Sequence, residues 1–239
     1  MTQLNPILTP IKEGLKAVEQ KLKHFSSASD LPFLDELLHH SFKSEGKRAR
    51  PALTLLAAGF HSNNVENVIR MATAVEMLHV ATLIHDDTVD EAATRRGKIT
   101  VSNAWGQHTA ILLGDYIFAA SATYVCDTGN IKVIRRFSET IMELSRGQLQ
   151  EMAFSHKLEA ALKEYQERIY FKTASLFQTS GESGAILSGA PEEHIKCLTD
   201  YSRNIGLAFQ VIDDILDFCG NSQTVGKPIG NDLKNGIVT

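Results

Sequence analysis

Two short acidic clusters stand out by residue type and spacing. They are Asp86-Asp87-Thr88-Val89-Asp90 and Asp213-Asp214-Ile215-Leu216-Asp217. On a helix, positions i and i+4 share a face and i+1 lies about 100° round. Asp86 and Asp90 therefore stack with Asp87 at their flank, and Asp213, Asp214 and Asp217 repeat the arrangement. Like charges at that spacing destabilise a helix by roughly 0.2–0.5 kcal/mol in water, and by more where water is partly excluded. Each cluster follows an apolar run, VATLIH or IGLAFQVI, so each sits at the end of a buried helix. A chain that carries this strain twice needs cations to relieve it. Oxygen-only donors suit a hard ion that keeps waters and takes phosphate oxygens, which describes Mg2+. One copy alone reads as a solvated helix end; two copies, both after apolar helices, argue against chance. An EF-hand is excluded, because no Gly stands at the sixth loop position and no Glu at the twelfth.

Basic residues supply the complement. Gly46-Lys47-Arg48-Ala49-Arg50-Pro51 sets three cations before a helix N-terminus. Free backbone N–H groups and guanidinium forks bind phosphate well there, although such a segment on its own reads as a solvated basic loop. Arg95-Arg96-Gly97 follows Asp90 by five to seven residues. Lys172-Thr173 and Lys227 are further candidates, a lone helical lysine being normally a surface residue. His79 lies two turns before Asp86 on the same face and reads either as a ligand or as a satisfied core histidine. His85 adjoins the first cluster, and Gln210 precedes Asp213 by one turn. Acids that hold Mg2+ beside bases that hold phosphate point to a diphosphate bridged by metal. The apolar helices beneath them point to a hydrocarbon remainder.

The elements that must position these groups are helices. The 239 residues fit one large domain or two tightly joined ones. Hydrophobic residues at 43% and charged residues at 22% exclude a disordered chain. No proline occurs between Pro51 and Pro191, too long a gap for a turn-rich β protein. The periodicity predicts a helix entered at Thr9–Pro10 and running to about His24. It predicts others over 31–42, from Pro51 to about Phe60, from about Asn64 through Asp90, and over roughly 103–126, 131–153 and 158–187. A last one opens at Pro191 and ends in the second acidic cluster, and the segments EAATRRGKIT and 220–239 read as loops. The net charge of −4 gives no footprint for nucleic acid. Three widely spaced cysteines with no CxxC pair, and no signal-peptide pattern, point to a reduced, cytoplasmic protein. The apolar stretches Met71–Ile84 and Ala110–Ala122 read as too short to span a bilayer, so no transmembrane segment is expected.

Taken in order, GKRARP, EMLHVATLIHDDTVDEAATRRGK, GDYIFAAS, FKTASLF, GLAFQVIDDILDF and GKPIGNDL closely resemble the trans-isoprenyl diphosphate synthases, the head-to-tail prenyltransferases. The likeness covers the chain from about Gly46 to its end. It implies an all-α antiparallel helical bundle around a deep central cleft, a homodimer, and three Mg2+ ions per site. It also implies the reaction: an allylic diphosphate ionises and isopentenyl diphosphate attacks the cation. Carried over by position, Asp86, Asp87 and Asp90 would bind Mg2+ from one wall and Asp213, Asp214 and Asp217 from the other. Arg95, Lys172 and Lys227 would hold the allylic diphosphate, with Thr173 and Gln210 near the nascent cation. Lys47, Arg50, His79 and Arg96 would hold isopentenyl diphosphate, Arg48 ranking below Arg50.

In the resembled family a bulky aromatic five residues before the first motif closes the product pocket. Here that residue is Ala81, followed by Thr82, with Leu78 and Met77 further up. The small side chain favours a long product, roughly C25 or more, unless Phe118, Met77 or Tyr116 closes the floor. The alternatives are a short-chain farnesyl or geranylgeranyl diphosphate synthase and a non-catalytic subunit of a heteromeric synthase. The family continues past GIVT with further helices, so the resemblance implies a single domain shortened at its C-terminus.

Overall fold

The computed structural model describes residues 5–27, 29–43, 46–61, 65–155, 162–220, 230, 236 and 239. Helical structure begins earlier than Thr9. Helix α1 (Asn5–Leu8) runs through a 3-10 turn (Thr9–Ile11) into α2 (Lys12–Phe25), so Thr9 lies inside a helical run rather than capping its start. Pro10 is tolerated there because an N-terminal turn needs no N–H from it. Helix α3 (Pro32–Phe42) starts one residue later than expected, because Leu31 precedes a proline and stays extended. Helix α4 (Ala49–Ala58) opens two residues before Pro51, off Arg48, whose φ is 49°.

The 25-residue helix α5 (Val65–Val89) is the axis of the bundle. Every residue from Met71 to Leu78 is buried. Its two sides serve two cores. Met77, Ala81 and Ile84 pack with Val18, Leu22, Ala110, Leu113 and Ile117. Met71, Ala74, Val75 and Leu78 pack with Val133, Phe137 and Leu176.

After α5 comes a β-hairpin where a plain loop was expected. Strands β1 (Thr94–Arg95) and β2 (Lys98–Ile99) pair antiparallel, Thr94 opposite Ile99. The turn residues Arg96 and Gly97 both have positive φ, 51° and 75°, as the right-handed twist of a two-residue hairpin demands. The helix expected over 103–126 divides into α6 (Val101–Trp105) and α7 (Gln107–Cys126), because Gly106 at φ 89° breaks it. Helix α8 (Ile131–Phe154) follows, capped by the Asn130 side chain on the N–H groups of Lys132 and Val133. The stretch expected as one helix over 158–187 is α9 (Leu162–Ile169), a π turn (Tyr170–Ala174) and α10 (Ser175–Leu187). Helix α11 (Glu192–Cys219) carries the second acidic cluster.

Helices α5 and α7 are both long and apolar enough to cross a membrane by length and composition, which corrects the expectation that neither stretch reaches that length. In α5 that apolar surface serves the core, with 72% of its most apolar window buried. In α7 only 33% is buried, and Ile111, Leu112 and Tyr116 stand exposed.

Candidate active site

The first acidic cluster lies on the last turns of α5. Asp87 is 7% exposed, Asp86 is half-buried and Asp90 is exposed. The hairpin folds Arg95 back so that its Nε donates to Asp87 Oδ1 at 2.7 Å. Burial pushes the Asp86 carboxyl up to about 6; Lys172 and Arg95 pull it down, while Asp90 and Glu151 push it up. Asp87 and Asp90 are raised too, with burial the leading cause in each. A carboxylate group so displaced is short of positive charge, which is the electrostatic condition for a cation site. Among the described residues no three acidic or histidine side chains converge as a ready-made ion site. The aspartates fit Mg2+ as partial coordination shells, completed by water and substrate oxygens, the way this ion is usually held.

The π turn connects this wall to the second one. Lys172 Nζ donates to both Glu151 oxygens, at 2.8 and 2.7 Å, and lies close enough to lower Asp86 and Asp90. The next residue points to the other side. The Thr173 hydroxyl donates to Gln210 Oε1, Gln210 Nε2 donates to Asp214 Oδ1 at 2.7 Å, and Tyr165 OH donates to Asp214 Oδ2 at 2.7 Å. Asp214 and Asp217 are buried and Asp213 is half-buried. Two glycines let neighbouring helices close on the turn. A Cβ on Gly147 of α8 would stand 2.9 Å from Phe171 Cβ and 3.1 Å from Lys172 N. One on Gly206 of α11 would stand 2.6 Å from Ala174 Cα. The π turn, a feature concentrated at functional sites, thus carries consecutive side chains that serve opposite aspartate clusters.

The basic residues gather between the 46–48 segment, the first turn of α4, α5 and the hairpin. Among the described residues, Arg50 Nε is buried with no hydrogen-bond partner, and its guanidinium stacks 4.6 Å from the Phe177 ring centre. Burial lowers Arg50 to about 10, with Glu76 opposing and Arg96 assisting. His79 is held well below its ordinary range, first by burial and then by Arg50, Arg96, Arg95 and Arg48. Its ring is therefore neutral at pH 7, and it offers an N–H rather than a charge. Arg48 is already engaged, Nε to Glu19 at 2.5 Å and Nη1 to Glu76 at 2.7 Å. Lys47 and Arg96 are exposed, and Lys227 lies outside the described residues.

The four residues expected to line a chain-length pocket lie on one broad side of α5 that meets both cores. Met77 and Ala81 are fully buried in the core against α2 and α7, whereas Leu78 is fully buried in the core against α8 and α10. Thr82, half-buried, returns its hydroxyl to His79 O at 2.8 Å. Residues one apart on a helix diverge by about 100°, so neighbours on this side reach different cores. Phe118 packs against both cores. Separately, an open groove of about 620 Å3 runs along the outer side of α8, past Ile141, Met142, Arg146, Leu149 and Phe154. Glu151, Tyr165 and Glu76 were not singled out from sequence. Each is one polar residue on a helix, and no local pattern marks such a residue as a partner of a distant cluster.

A family model described as Polyprenyl synthetase matches residues 31–239. Heptaprenyl diphosphate synthase component 2 of Geobacillus stearothermophilus is 37% identical over 237 residues, covering 99% of this chain and 74% of that protein. The polyprenyl synthase of Caulobacter crescentus, solved with calcium and isoprenyl diphosphate, superposes with a TM-score of 0.93 at 32% identity, over 99% of this chain and 72% of that one. The geranylgeranyl pyrophosphate synthase of Lactobacillus brevis superposes with a TM-score of 0.89 at 32% identity, over 99% and 74%.

Proposed function

The chain belongs to the polyprenyl synthetase family and is a prenyltransferase, and we propose that it condenses isopentenyl diphosphate head to tail with an allylic diphosphate. The product is a trans-polyprenyl diphosphate of roughly C25 or more, and the reaction depends on Mg2+. The observation that carries this reading is the π turn, which ties Lys172 to the first aspartate cluster and Thr173, through Gln210, to the second. A separate basic pocket with a vacant guanidinium Nε serves a second diphosphate.

Asp86, Asp87 and Asp90, with Asp213, Asp214 and Asp217, would hold the metal. When bound, Mg2+ supplies the positive charge that a departing diphosphate requires. Arg95 and Lys172 add fixed positive charge on the same diphosphate, with Lys227 assigned there by resemblance. Lys172 leaves Glu151 to reach it. The allylic C–O bond breaks and its electron pair departs with the diphosphate. The π electrons of isopentenyl diphosphate form the new C–C bond, and a proton lost from the adjacent carbon passes to the departing diphosphate. Thr173 and Gln210 present oxygen near the transient cation, and preorganised dipoles of this kind stabilise developing charge. Lys47, Arg50, His79 and Arg96 hold the isopentenyl diphosphate and leave its double bond free.

Small Ala81 and the heptaprenyl relative favour a long product; the geranylgeranyl neighbour favours the shorter alternative. The exposed face of α7 suits a homodimer, and the designation component 2 of the Geobacillus relative favours a heteromer as the second reading. A cytoplasmic location is consistent with three free, exposed cysteines. Chromatography of the product made from farnesyl diphosphate and isopentenyl diphosphate with Mg2+ tests the proposal. Products of C25 and above support it, products ending at C20 overturn the chain length, and no elongation by the chain alone or with a second component overturns the reaction.

A further inference from the structure

Three arginines reach the basic pocket, and the fold treats one of them differently. Arg48 and Arg96 both hold a left-handed backbone conformation, φ 49° and 51°, a strained state for a non-glycine residue, but Arg48 is also gripped by two carboxylates. The grip comes from two helices far apart in sequence. Glu19 of α2 takes Arg48 Nε at 2.5 Å and Nη2 at 3.4 Å, and Glu76 of α5 takes Nη1 at 2.7 Å. The Glu76 side chain is 6% exposed, and a buried carboxylate of this kind is strongly destabilising without its partner. Gly46 closes over the pair: a Cβ there would stand 3.2 Å from Arg48 Nη1, 3.6 Å from Glu76 Oε1 and 3.8 Å from Arg96 Nη1. Two residues further on, Arg50 is oriented by the Phe177 ring instead of a carboxylate, and its Nε has no partner among the described residues.

We infer that Glu19 and Glu76 are positioning residues for isopentenyl diphosphate, clamping Arg48 so that the 46–48 segment and the first turn of α4 are fixed and Arg50 is kept free to receive phosphate. This rests on the prenyl transfer proposed above. Glu76 already acts electrostatically on Arg50. With Arg48 occupying it, Glu76 is neutralised; without Arg48, this buried carboxylate is left to draw on the other guanidiniums around it, those of Arg50 and Arg96. Arg48 therefore serves as an internal counter-ion rather than a phosphate ligand. Glu19, half-exposed on an N-terminal helix, acquires control over the affinity of a site that it does not touch.

The test uses the full chain with Mg2+ and separate KM values for isopentenyl diphosphate and farnesyl diphosphate. Glu76→Gln is expected to raise the KM for isopentenyl diphosphate about tenfold, the scale of a lost hydrogen bond to a charged group. Glu19→Gln is expected to raise it about threefold, because that carboxylate is half-exposed. In both variants kcat and the KM for farnesyl diphosphate stay within about twofold of the parent, a split that general loosening of the fold would not produce. Glu76→Asp restores most of the affinity. Calorimetry with isopentenyl diphosphate alone reports the same order of affinities without turnover. If Glu76→Gln does not fold, the surface variant Glu19→Gln decides. An unchanged affinity in Glu19→Gln, or an equal rise in both KM values, overturns the clamp. An inactive parent chain overturns the proposed reaction instead, and the calorimetry still decides the clamp.

Discussion

The two aspartate clusters share one motif and are furnished differently. On α5, Asp86 and Asp90 face Lys172, Arg95 and Glu151, and burial leaves Asp86 raised to about 6. On α11, Asp214 receives two neutral donors, Gln210 Nε2 and Tyr165 OH, each at 2.7 Å. Asp86 of the first cluster is thus a carboxyl strained by burial that a cation would relieve, beside an Asp87 held by Arg95, whereas Asp214 of the second is oriented by neutral donors. Repetition of a sequence motif does not repeat its electrostatics; the neighbouring helices decide how each copy is held.

The largest expected effect comes from removing the strained carboxyl. Asp86→Ala should lower kcat by on the order of 10^3, measured by steady-state elongation at saturating Mg2+. Asp214→Asn should lower it by about 10^2, because the amide oxygen keeps the Gln210 donor while the Tyr165 hydroxyl turns to accept from the amide NH2. Equal losses would erase the distinction between the clusters. Next comes the turn between them. Gly206→Ala drives a Cβ to 2.6 Å from the Ala174 backbone, which should destabilise the fold by about 1–3 kcal/mol in urea titrations and lower kcat by displacing Lys172 and Thr173 together.

The first cluster also has a signature in pH. A carboxyl whose folded pKa lies above its unfolded value adds stability that is complete below the unfolded value and is lost as pH rises through the folded one. For Asp86 the window runs from the ordinary 3.8 to about 6. The melting temperature of the metal-free protein should therefore carry a downward contribution from this residue between pH 4 and about 6. Comparison with Asp86→Asn, in which that contribution is gone, isolates it. A wild-type curve parallel to the variant's across that window would remove the electrostatic half of the comparison. The smallest effect belongs to Tyr165→Phe, which deletes one donor to Asp214 and should reduce kcat by less than about tenfold, the scale of a single hydrogen bond.

Much of this was legible in the chain. The helices of α5, α8 and α11 follow from apolar periodicity, and their bounds fall within a few residues of expectation. Both aspartate clusters could be read because i, i+4 spacing is a property of one helix. The π turn could not. The pattern across 158–187 is continuous, and the added residue at Tyr170–Ala174 coincides with the close approach of Gly147 and Gly206 from two other helices. The same limit hid Glu151, which sits 21 residues from Lys172, and Tyr165, which sits 49 residues from Asp214. It also hid that Met77 and Leu78, neighbours in sequence, lie in different cores.

By itself, the order of residues determined an all-helical chain with acidic clusters at the ends of two apolar helices and cations beside them, because helix period, charge type and motif spacing are local quantities. Tertiary structure alone decided which arginine is neutralised and which is left free, which aspartate is hydrogen-bonded and which is strained by burial, and where a helix widens into a π turn. Those outcomes depend on distances between segments tens of residues apart, and electrostatic and packing energies are set by such distances whatever the separation along the chain.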